Sequence, residues 1–241
     1  MIVTIDCGNT RIKWGVHDGR QWRAQGAVGY SEISALAALP GTWQARAVWL
    51  ASVAGEAATQ SVCAALSAWQ PLIKRVSTGT ADGGVINAYD NPAQLGVDRW
   101  LALIGARGMT PAACLVVMAG TATTIDTLTA EGEFAGGLIL PGLDLMRRSL
   151  ARDTAALPLA EGEYTSLPRN TGNAIVTGCI EAQLGAIERA FRRIANEPDA
   201  LCLISGGNAQ PLAAQLALPH RRIDNLVLEG LARLARITVG D

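Results

Sequence analysis

The chain has 241 residues, of which 49% are hydrophobic and 17% are charged, and its formal net charge is −1. This composition is typical of a soluble globular protein with a sizeable core, built as one large domain or two small ones. The near-neutral charge balance predicts no long-range attraction to nucleic acid or to an anionic membrane, so neither is expected as a partner.

Cysteine and histidine usage argues against several classes of site. The five cysteines are scattered and contain no CxxC pair, which argues against a disulfide framework or zinc site and favours a reducing cytoplasm. His17 and His220 are the only histidines, which gives no support to a His-based triad or a His-rich metal site. No signal peptide or apolar run of about 18 residues is expected either.

The first half of the chain alternates strands and helices. Its hydrophobic pattern predicts strands at 2–7, 11–17, 22–27, 47–53 and 72–76, and helices at 56–69 and 96–106. The stretch 78–91 is rich in Gly, Asp and Asn, which predicts a surface loop suited to ligand contact.

The pattern then restarts. It predicts strands at 114–118, 124–128, 133–140 and 201–205, and helices at 143–152, 172–195, 209–216 and 225–237. Both halves begin with a strand, a polar turn, a second strand and a hairpin. The sequence therefore predicts two similar α/β domains, 1–110 and 111–241, with a cleft between them.

A polar turn, Asp6-Cys7-Gly8-Asn9-Thr10-Arg11-Ile12-Lys13, joins the first two predicted strands. Backbone N–H groups in such turns form concavities that bind anions, and a carboxylate can hold a metal that bridges phosphate oxygens. An ordinary hairpin, whose polar residues merely satisfy the turn, explains the same residues equally well.

Four motifs occur in order along the chain: Asp-x-Gly-Asn-Thr-x-x-Lys at 6–13, Gly-x-Asp-Arg at 96–99, Gly-Thr-Ala-Thr-Thr-x-Asp at 120–126 and Ser-Gly-Gly-Asn at 205–208. At this spacing they resemble the signatures of type III pantothenate kinase, a member of the acetate kinase/sugar kinase/Hsp70/actin superfamily. The resemblance covers residue 2 to about residue 230. It implies two ribonuclease H-like (actin-like ATPase) domains and ATP-dependent phosphorylation of pantothenate to 4′-phosphopantothenate, the first step of coenzyme A synthesis.

The resemblance also implies the residues that bind ATP and its phosphates: Asp6, Gly8, Asn9, Thr10, Lys13, Gly120, Thr121, Gly206 and Gly207. Asp6 would position Mg²⁺ through water, and Lys13 would add a point charge. Gly206 and Gly207 would contact the adenosine side. Read without the resemblance, both glycine stretches are ordinary turns that follow strands.

The implied substrate-binding residues are Tyr89, Gly96, Val97, Asp98, Arg99 and Thr171. Asp98 would be the catalytic base on the pantothenate hydroxyl, and a helix N-terminus favours its ionised form. Arg99 would bind the transferring phosphate or the pantothenate carboxylate. The residues alone also allow a surface charge pair at a helix start, and they allow Thr171 as a helix N-cap.

One position departs from the family pattern. Many relatives have an Asp two residues before the Gly-Thr-Ala turn, where it serves a monovalent cation such as potassium or ammonium, and this chain has Met118. A thioether is a poor ligand for a hard cation. Either carbonyl oxygens and a neighbouring chain complete the cation site, or the requirement is weakened.

The family resemblance implies a homodimer, and the apolar helix predicted at 172–195 could serve self-association or lie in a domain core. Two other functions stay open: a non-catalytic regulator that binds a nucleotide or metabolite on the same fold, and a kinase of another small hydroxylated or carboxylate acceptor. A pure binder has no need of a base beside its second ligand. The kinase hypothesis therefore requires Asp6 and Asp98 to lie close together.

Overall fold

The computed structural model describes residues 1–154, 159 and 161–239. Within them the strands are β1 (Ile2–Cys7), β2 (Arg11–His17), β3 (Trp22–Gly29), β4 (Ala47–Ser52), β5 (Ile73–Arg75), β6 (Ala81–Asp82), β7 (Val85–Asn87), β8 (Cys114–Ala119), β9 (Ala122–Leu128), β10 (Glu133–Pro141), β11 (Leu201–Ser205) and β12 (His220–Arg222). The α-helices are α1 (Leu39–Thr42), α2 (Glu56–Ala65), α3 (Val97–Met109), α4 (Leu143–Asp153), α5 (Thr171–Phe191), α6 (Ala209–Ala213) and α7 (Leu226–Val239). Short 3₁₀ segments lie at Tyr30–Ala38, Ser67–Leu72 and Pro92–Gln94.

The chain forms two compact units. The first comprises Met1–Met109 and the C-terminal segment that begins at Asn225, and the second comprises Thr110–Asp224. The sequence had assigned the last helix to the second domain, because it follows that domain along the chain. In the structure α7 groups with the first unit, since it packs against α3, β1, β2 and β4.

The first unit is built on a sheet with the strand order β3-β2-β1-β4-β5. β1 pairs antiparallel with β2 and parallel with β4, and all its side chains are buried, as its run of β-branched residues indicates. Val3, Ile5 and Cys7 belong to an apolar cluster on one face of the sheet. Because side chains alternate along a strand, Thr4 and Asp6 face the opposite side.

The second unit repeats this topology. Its strands lie in the order β10-β9-β8-β11-β12, with β8 antiparallel to β9 and parallel to β11. The core of this unit joins apolar side chains of β8 and β11 to the inner face of α5, including Ile180, Leu184 and Ile187. The predicted repeat of one α/β topology is therefore confirmed.

Several predicted elements have different bounds in the structure. The loop predicted at 78–91 contains a small antiparallel hairpin of β6 and β7, whose turn is made by Gly83 and Gly84 with φ of 57° and 78°. Those angles lie in the left-handed region that favours glycine.

In the described residues, no helix combines the length and the apolar character that a membrane crossing requires.

Candidate active site

The first polar turn lies between β1 and β2. Asp6 pairs with Lys13 across the two strands, so both side chains project from the same face of the sheet. The Gly8 N–H donates to the Arg11 carbonyl at 3.1 Å, which closes the turn and leaves Asn9 and Thr10 exposed at its tip. The turn therefore presents a carboxylate, an ammonium group and an exposed loop backbone within one hairpin.

Asp6 has an unusual electrostatic environment. Its side chain is 8% exposed, and its pKa is raised to about 7. Burial is the largest cause, the charge of Lys13 opposes it, and the charge of Asp98 adds to it. An ionised Asp6 is therefore short of positive charge, and a nearby cation would favour the ionised form.

This environment fits Mg²⁺ held mainly by a nucleotide. Among the described residues, no three or more His, Cys, Asp or Glu side chains form a metal-binding group. Mg²⁺ typically keeps several waters and binds through one or two carboxylates together with substrate phosphates. Asp6 can supply such a carboxylate.

Asp98 lies in the first turn of α3, and its Oδ1 accepts a hydrogen bond from the Arg99 N–H at 2.9 Å. A Cβ at Gly96 would lie 2.6 Å from Asp98 Oδ1, so a larger residue there would displace the carboxylate oxygen from this position. The Gly96 carbonyl accepts from the Trp100 N–H and so belongs to the helix start. The Gly-x-Asp-Arg spacing thus lets the carboxylate fold over the helix N-terminus.

Arg99 is 5% exposed, and its guanidinium donates to the Tyr89 hydroxyl at 2.9 Å. The guanidinium carbon also lies 5.6 Å from the centre of the Tyr89 ring, within range of a cation–π contact. The buried Asn87 holds this loop, since its Oδ1 accepts from the Tyr89 N–H at 3.2 Å. The structure therefore brings Tyr89, Gly96, Asp98 and Arg99 together, and Val97 is half-buried among them.

In the second unit, Gly120 and Thr121 form the turn between β8 and β9. The Gly120 N–H donates to the Ala122 carbonyl at 3.0 Å, and the Thr121 side chain is exposed. Gly142 packs directly behind the turn: its N–H donates to the Thr121 carbonyl, and a Cβ there would collide with the Gly120 carbonyl. Only glycine fits at position 142, a requirement that sequence reasoning missed.

Gly206 follows β11 with a φ of +111°, and a Cβ there would collide with the Ala119 carbonyl. The same carbonyl accepts from the Asn208 N–H at 3.0 Å. Gly206 is thus explained by its contact with the end of β8, whereas Gly207 is exposed and touches nothing that a Cβ would meet. A role of either glycine in ATP binding stays a prediction.

Thr171 is the first residue of α5, but it is not the N-cap that the sequence suggested. Asn170 is the N-cap, and its Oδ1 accepts from the Asn173 N–H at 2.8 Å. Asn has a stronger N-cap preference than Thr, which explains the shift of one residue. Thr171 is exposed and lines a cavity of about 770 Å³ with Arg169 and Cys179.

Met118 is half-buried in β8 and pairs with Thr124 of β9. In the described part of the chain, the buried Thr124 hydroxyl has no hydrogen-bond partner. The side chain at position 118 offers a thioether where the family resemblance implies a carboxylate. This donor set does not fit the monovalent cation expected there.

Two residues that support these turns were missed by sequence reasoning. The Tyr30 hydroxyl donates to the Gly8 carbonyl at 2.7 Å, and the fully buried Gln183 accepts from the Thr123 hydroxyl at 2.8 Å. Gln183 also donates to the Pro141 carbonyl at 2.9 Å. The sequence gives one indication of this role: Gln183 is a polar residue on the otherwise apolar inner face of α5, and buried polar groups are usually hydrogen-bonded.

Comparison with known proteins identifies the family. The sequence model described as type III pantothenate kinase matches residues 2–193. The chain belongs to this family. The resemblance expected from the four motifs is thereby confirmed.

Individual relatives of the type III pantothenate kinase family match almost end to end. The protein named type III pantothenate kinase from Dechloromonas aromatica is 56% identical, over 98% of this chain and 99% of its own. The one so named from Aromatoleum aromaticum is 55% identical, over 98% of each chain.

Solved structures show the fold. A Campylobacter jejuni protein described as a Baf family transcriptional activator has a TM-score of 0.67 at 17% identity, over 98% of each chain. Component A of the (R)-2-hydroxyglutaryl-CoA dehydratase from Acidaminococcus fermentans has a TM-score of 0.54 at 12% identity, over 98% of this chain and 96% of its own. The predicted fold class, that of the actin-like ATPases and sugar kinases, is confirmed.

Proposed function

We propose that this chain transfers the γ-phosphoryl group of ATP to the hydroxyl of pantothenate and so makes 4′-phosphopantothenate, the first step of coenzyme A synthesis. Membership of the type III pantothenate kinase family supports the reaction. One arrangement carries the assignment of the site: Asp6 near the end of β1 and Asp98 at the start of α3 lie in the same unit, and the charge of Asp98 contributes to the raised pKa of Asp6. A carboxylate for the metal and a carboxylate for the nucleophile thus occur within one unit.

Asp98 accepts the proton of the pantothenate hydroxyl as the new O–P bond forms. The bond between the γ-phosphorus and the β–γ bridging oxygen breaks, and ADP leaves with that oxygen. A positioned base of this kind contributes about 10²- to 10⁴-fold in rate. Asp6 would hold Mg²⁺, which when bound would supply positive charge to the phosphates.

Two turns of the chain are the proposed ligands of the ATP phosphates. In this proposal their ligands are Gly8, Asn9, Thr10, Lys13, Gly120 and Thr121, with Gly206 and Gly207 on the adenosine side. The exposed tips of both phosphate turns support this role, because exposed backbone N–H groups in a tight turn can bind an anion. Lys13 adds a positive charge on the face that carries Asp6.

Pantothenate is bound by Tyr89, Gly96, Val97, Asp98, Arg99 and Thr171. The Tyr89 hydroxyl fixes the Arg99 guanidinium, which supports a role in holding an anionic group. That group is the pantothenate carboxylate or the phosphate in transfer. Gly96 contributes space rather than contacts, because it lets Asp98 adopt its orientation.

Potassium or ammonium would lack a carboxylate ligand at position 118, since this chain has Met118 there. No step above depends on a monovalent cation. A titration of activity with potassium, against a sodium control, tests the requirement directly. Activity that does not depend on potassium removes the cation from the proposal.

A homodimer and a cytoplasmic location complete the proposal. The resemblance to the family supports the dimer, and light scattering of the purified chain would test it. A mass twice that of one 25.2 kDa chain would support the dimer, and the mass of one chain would contradict it. The five cysteines lie among the described residues and form no disulfide there, which supports a reducing compartment.

The decisive experiment is a coupled assay of ADP release with pantothenate, carried out on the wild type and on Asp98→Asn. We expect the substitution to lower kcat by at least several hundredfold, because the amide cannot accept the proton. Asp153→Asn is the matched control. Asp153 is an exposed acid of α4 paired with Arg152, and this variant should keep wild-type activity.

Each other outcome contradicts a part of the proposal. ADP release by the wild type that does not require pantothenate would indicate a kinase with another acceptor. Nucleotide binding with no turnover would indicate the non-catalytic regulator. Full activity of Asp98→Asn would exclude Asp98 as the base.

A further inference from the structure

Tyr30 begins the 3₁₀ segment that follows β3, and its hydroxyl reaches back to the first phosphate turn. It donates to the Gly8 carbonyl at 2.7 Å, across 22 residues of sequence. Its ring is half-buried and packs against the apolar cluster that contains Val3, Ile5 and Cys7. The hydroxyl therefore approaches the turn from the cluster side of the sheet.

The position of this hydrogen bond determines the direction of the next N–H group. The Gly8–Asn9 peptide bond is trans, as are the other described peptide bonds. In a trans peptide the C=O and N–H groups point in opposite directions. Because the Gly8 carbonyl points towards Tyr30 and the cluster face, the Asn9 N–H points towards the opposite face, which carries Asp6 and Lys13.

The Tyr30 hydroxyl remains a donor at neutral pH. Burial raises the pKa of Tyr30, and the nearby Cys7 and Asp6 raise it further. Ionisation would cost the hydrogen bond, since a phenolate can only accept.

We propose that Tyr30 is a positioning residue for the nucleotide: by holding the Gly8 carbonyl, it aims the Asn9 N–H at an ATP phosphate. This inference rests on the proposed role of the first turn in binding ATP. Tyr30 itself touches no phosphate, and its effect passes through one peptide group. The bond costs little to maintain because the ring is already fixed by the apolar cluster.

Tyr30→Phe tests the proposal, because it removes the hydroxyl and keeps the ring in the apolar cluster. We expect the Kd for Mg-ATP, measured by isothermal titration calorimetry without pantothenate, to rise about three- to tenfold. In steady-state kinetics the KM for ATP should rise by a similar factor. The KM for pantothenate should stay within about twofold of the wild type, since the Asn9 N–H holds ATP only.

Tyr164→Phe is the matched control. It removes a hydroxyl that donates to Glu181 at 2.6 Å in the second unit, and it should change none of these values. A thermal melt of Tyr30→Phe checks that the fold is kept. An unchanged Kd for Mg-ATP in a folded Tyr30→Phe, or an equal rise in Tyr164→Phe, would overturn the inference.

The calorimetric measurement separates this inference from the proposed function. A wild type that phosphorylates pantothenate, with a Tyr30→Phe variant that binds Mg-ATP normally, refutes the role of Tyr30 alone. A wild type that binds Mg-ATP without phosphorylating pantothenate refutes the proposed reaction, and the Kd of Tyr30→Phe still decides the role of Tyr30. A wild type that does not bind Mg-ATP refutes both.

Discussion

His17 is a buried histidine at the end of β2. It is 4% exposed, its Nδ1 accepts from the Gly19 N–H at 2.9 Å, and its ring meets the Trp22 ring edge-on at 4.9 Å between centres. Burial lowers the pKa of His17 below the usual 6.5, and the charge of Arg236 adds to this, against the opposing charges of Glu229 and Asp18. The fold therefore favours the neutral ring.

This environment predicts a pH dependence of stability. Near pH 6.5 and below, the unfolded chain binds a proton at this position more readily than the folded chain. The contribution of His17 to the free energy of unfolding should thus fall as the pH drops from 7.5 to 5.5, by at most about 1.4 kcal/mol per pH unit. Asp6, whose pKa is raised to about 7, contributes in the opposite direction over this interval. Denaturant unfolding at several pH values measures the slope.

His17→Asn keeps an acceptor near the position of Nδ1 and removes the titration. As the pH drops from 7.5 to 5.5, its free energy of unfolding should fall less, or rise more, than that of the wild type. His220→Asn is the control, because His220 is exposed and should leave the slope unchanged. Equal slopes in His17→Asn and the wild type would refute the assignment.

At the scale of single residues, the sequence predicted the motif acids better than their supports. Asp6 was predicted from its place in the polar turn after a buried strand, and Asp98 from the resemblance of Gly-x-Asp-Arg to the family motif. Tyr30 was not, since its hydrogen bond to Gly8 joins residues far apart in sequence. No local pattern of residues encodes such a contact.

Strand β9 carries two adjacent buried threonines with different hydrogen bonding. The Thr123 hydroxyl donates to Gln183 of α5, whereas the Thr124 hydroxyl has no partner among the described residues. Both side chains are at least nine-tenths buried. The same substitution at the two positions therefore separates a satisfied hydroxyl from an unsatisfied one.

We expect Thr123→Val to lower the free energy of unfolding by about 1–3 kcal/mol, because it leaves the buried Gln183 oxygen unpaired. Thr124→Val should be neutral or stabilising by about 1 kcal/mol, because it replaces an unpaired hydroxyl with a methyl group. Urea unfolding of both variants measures the difference. Equal effects of the two substitutions would contradict the hydrogen bonding described for β9.

At the scale of elements, the alternation of strands and helices was predictable, and helix ends were less so. The buried strands β1 and β8 were predictable because both contain β-branched residues. The helix predicted over 172–195 ends at Phe191, because its last residues form a separate turn rather than continuing the α-helix. Apolar residues continue through that turn, so periodicity alone could not place the end.

The first unit depends on contacts between α3 and α7. The two helices cross at small residues: a Cβ at Gly230 would collide with the Leu101 carbonyl, and a Cβ at Gly105 would collide with the Leu226 carbonyl. Trp22 of β3 also donates to Glu229 of α7 at 2.7 Å. Only the absence of side chains allows the helix backbones to approach this closely.

We expect Gly230→Ala to lower the free energy of unfolding by about 1–3 kcal/mol or more, because the methyl group forces α3 and α7 apart. Gly185→Ala in α5 is the control. No atom lies within 4 Å of a Cβ built at Gly185, so alanine should stabilise the helix by about 0.5–1 kcal/mol. Denaturant unfolding measures both free energies. An unchanged free energy of unfolding in Gly230→Ala would contradict the close crossing of α3 and α7.

At the scale of the whole chain, the repeat of two α/β topologies was predictable from the order of elements. The position of α7 was not. The apolar pattern of α7 does not specify which sheet or helix it packs against. Chain order alone therefore assigned α7 to the unit that it follows. The unit to which α7 belongs is decided by surfaces that match between segments far apart in sequence. The order of hydrophobic and polar residues along the chain does not show which surfaces match.

The grouping of α7 with the first unit has a consequence for biosynthesis. A ribosome releases residues 1–109 early, yet the helix that covers their sheet emerges only after residue 225. The apolar surface of the nascent N-terminal segment therefore stays uncovered while more than a hundred further residues are translated. The strand that carries Asp6, the first to be synthesised, is among the last to be fully buried.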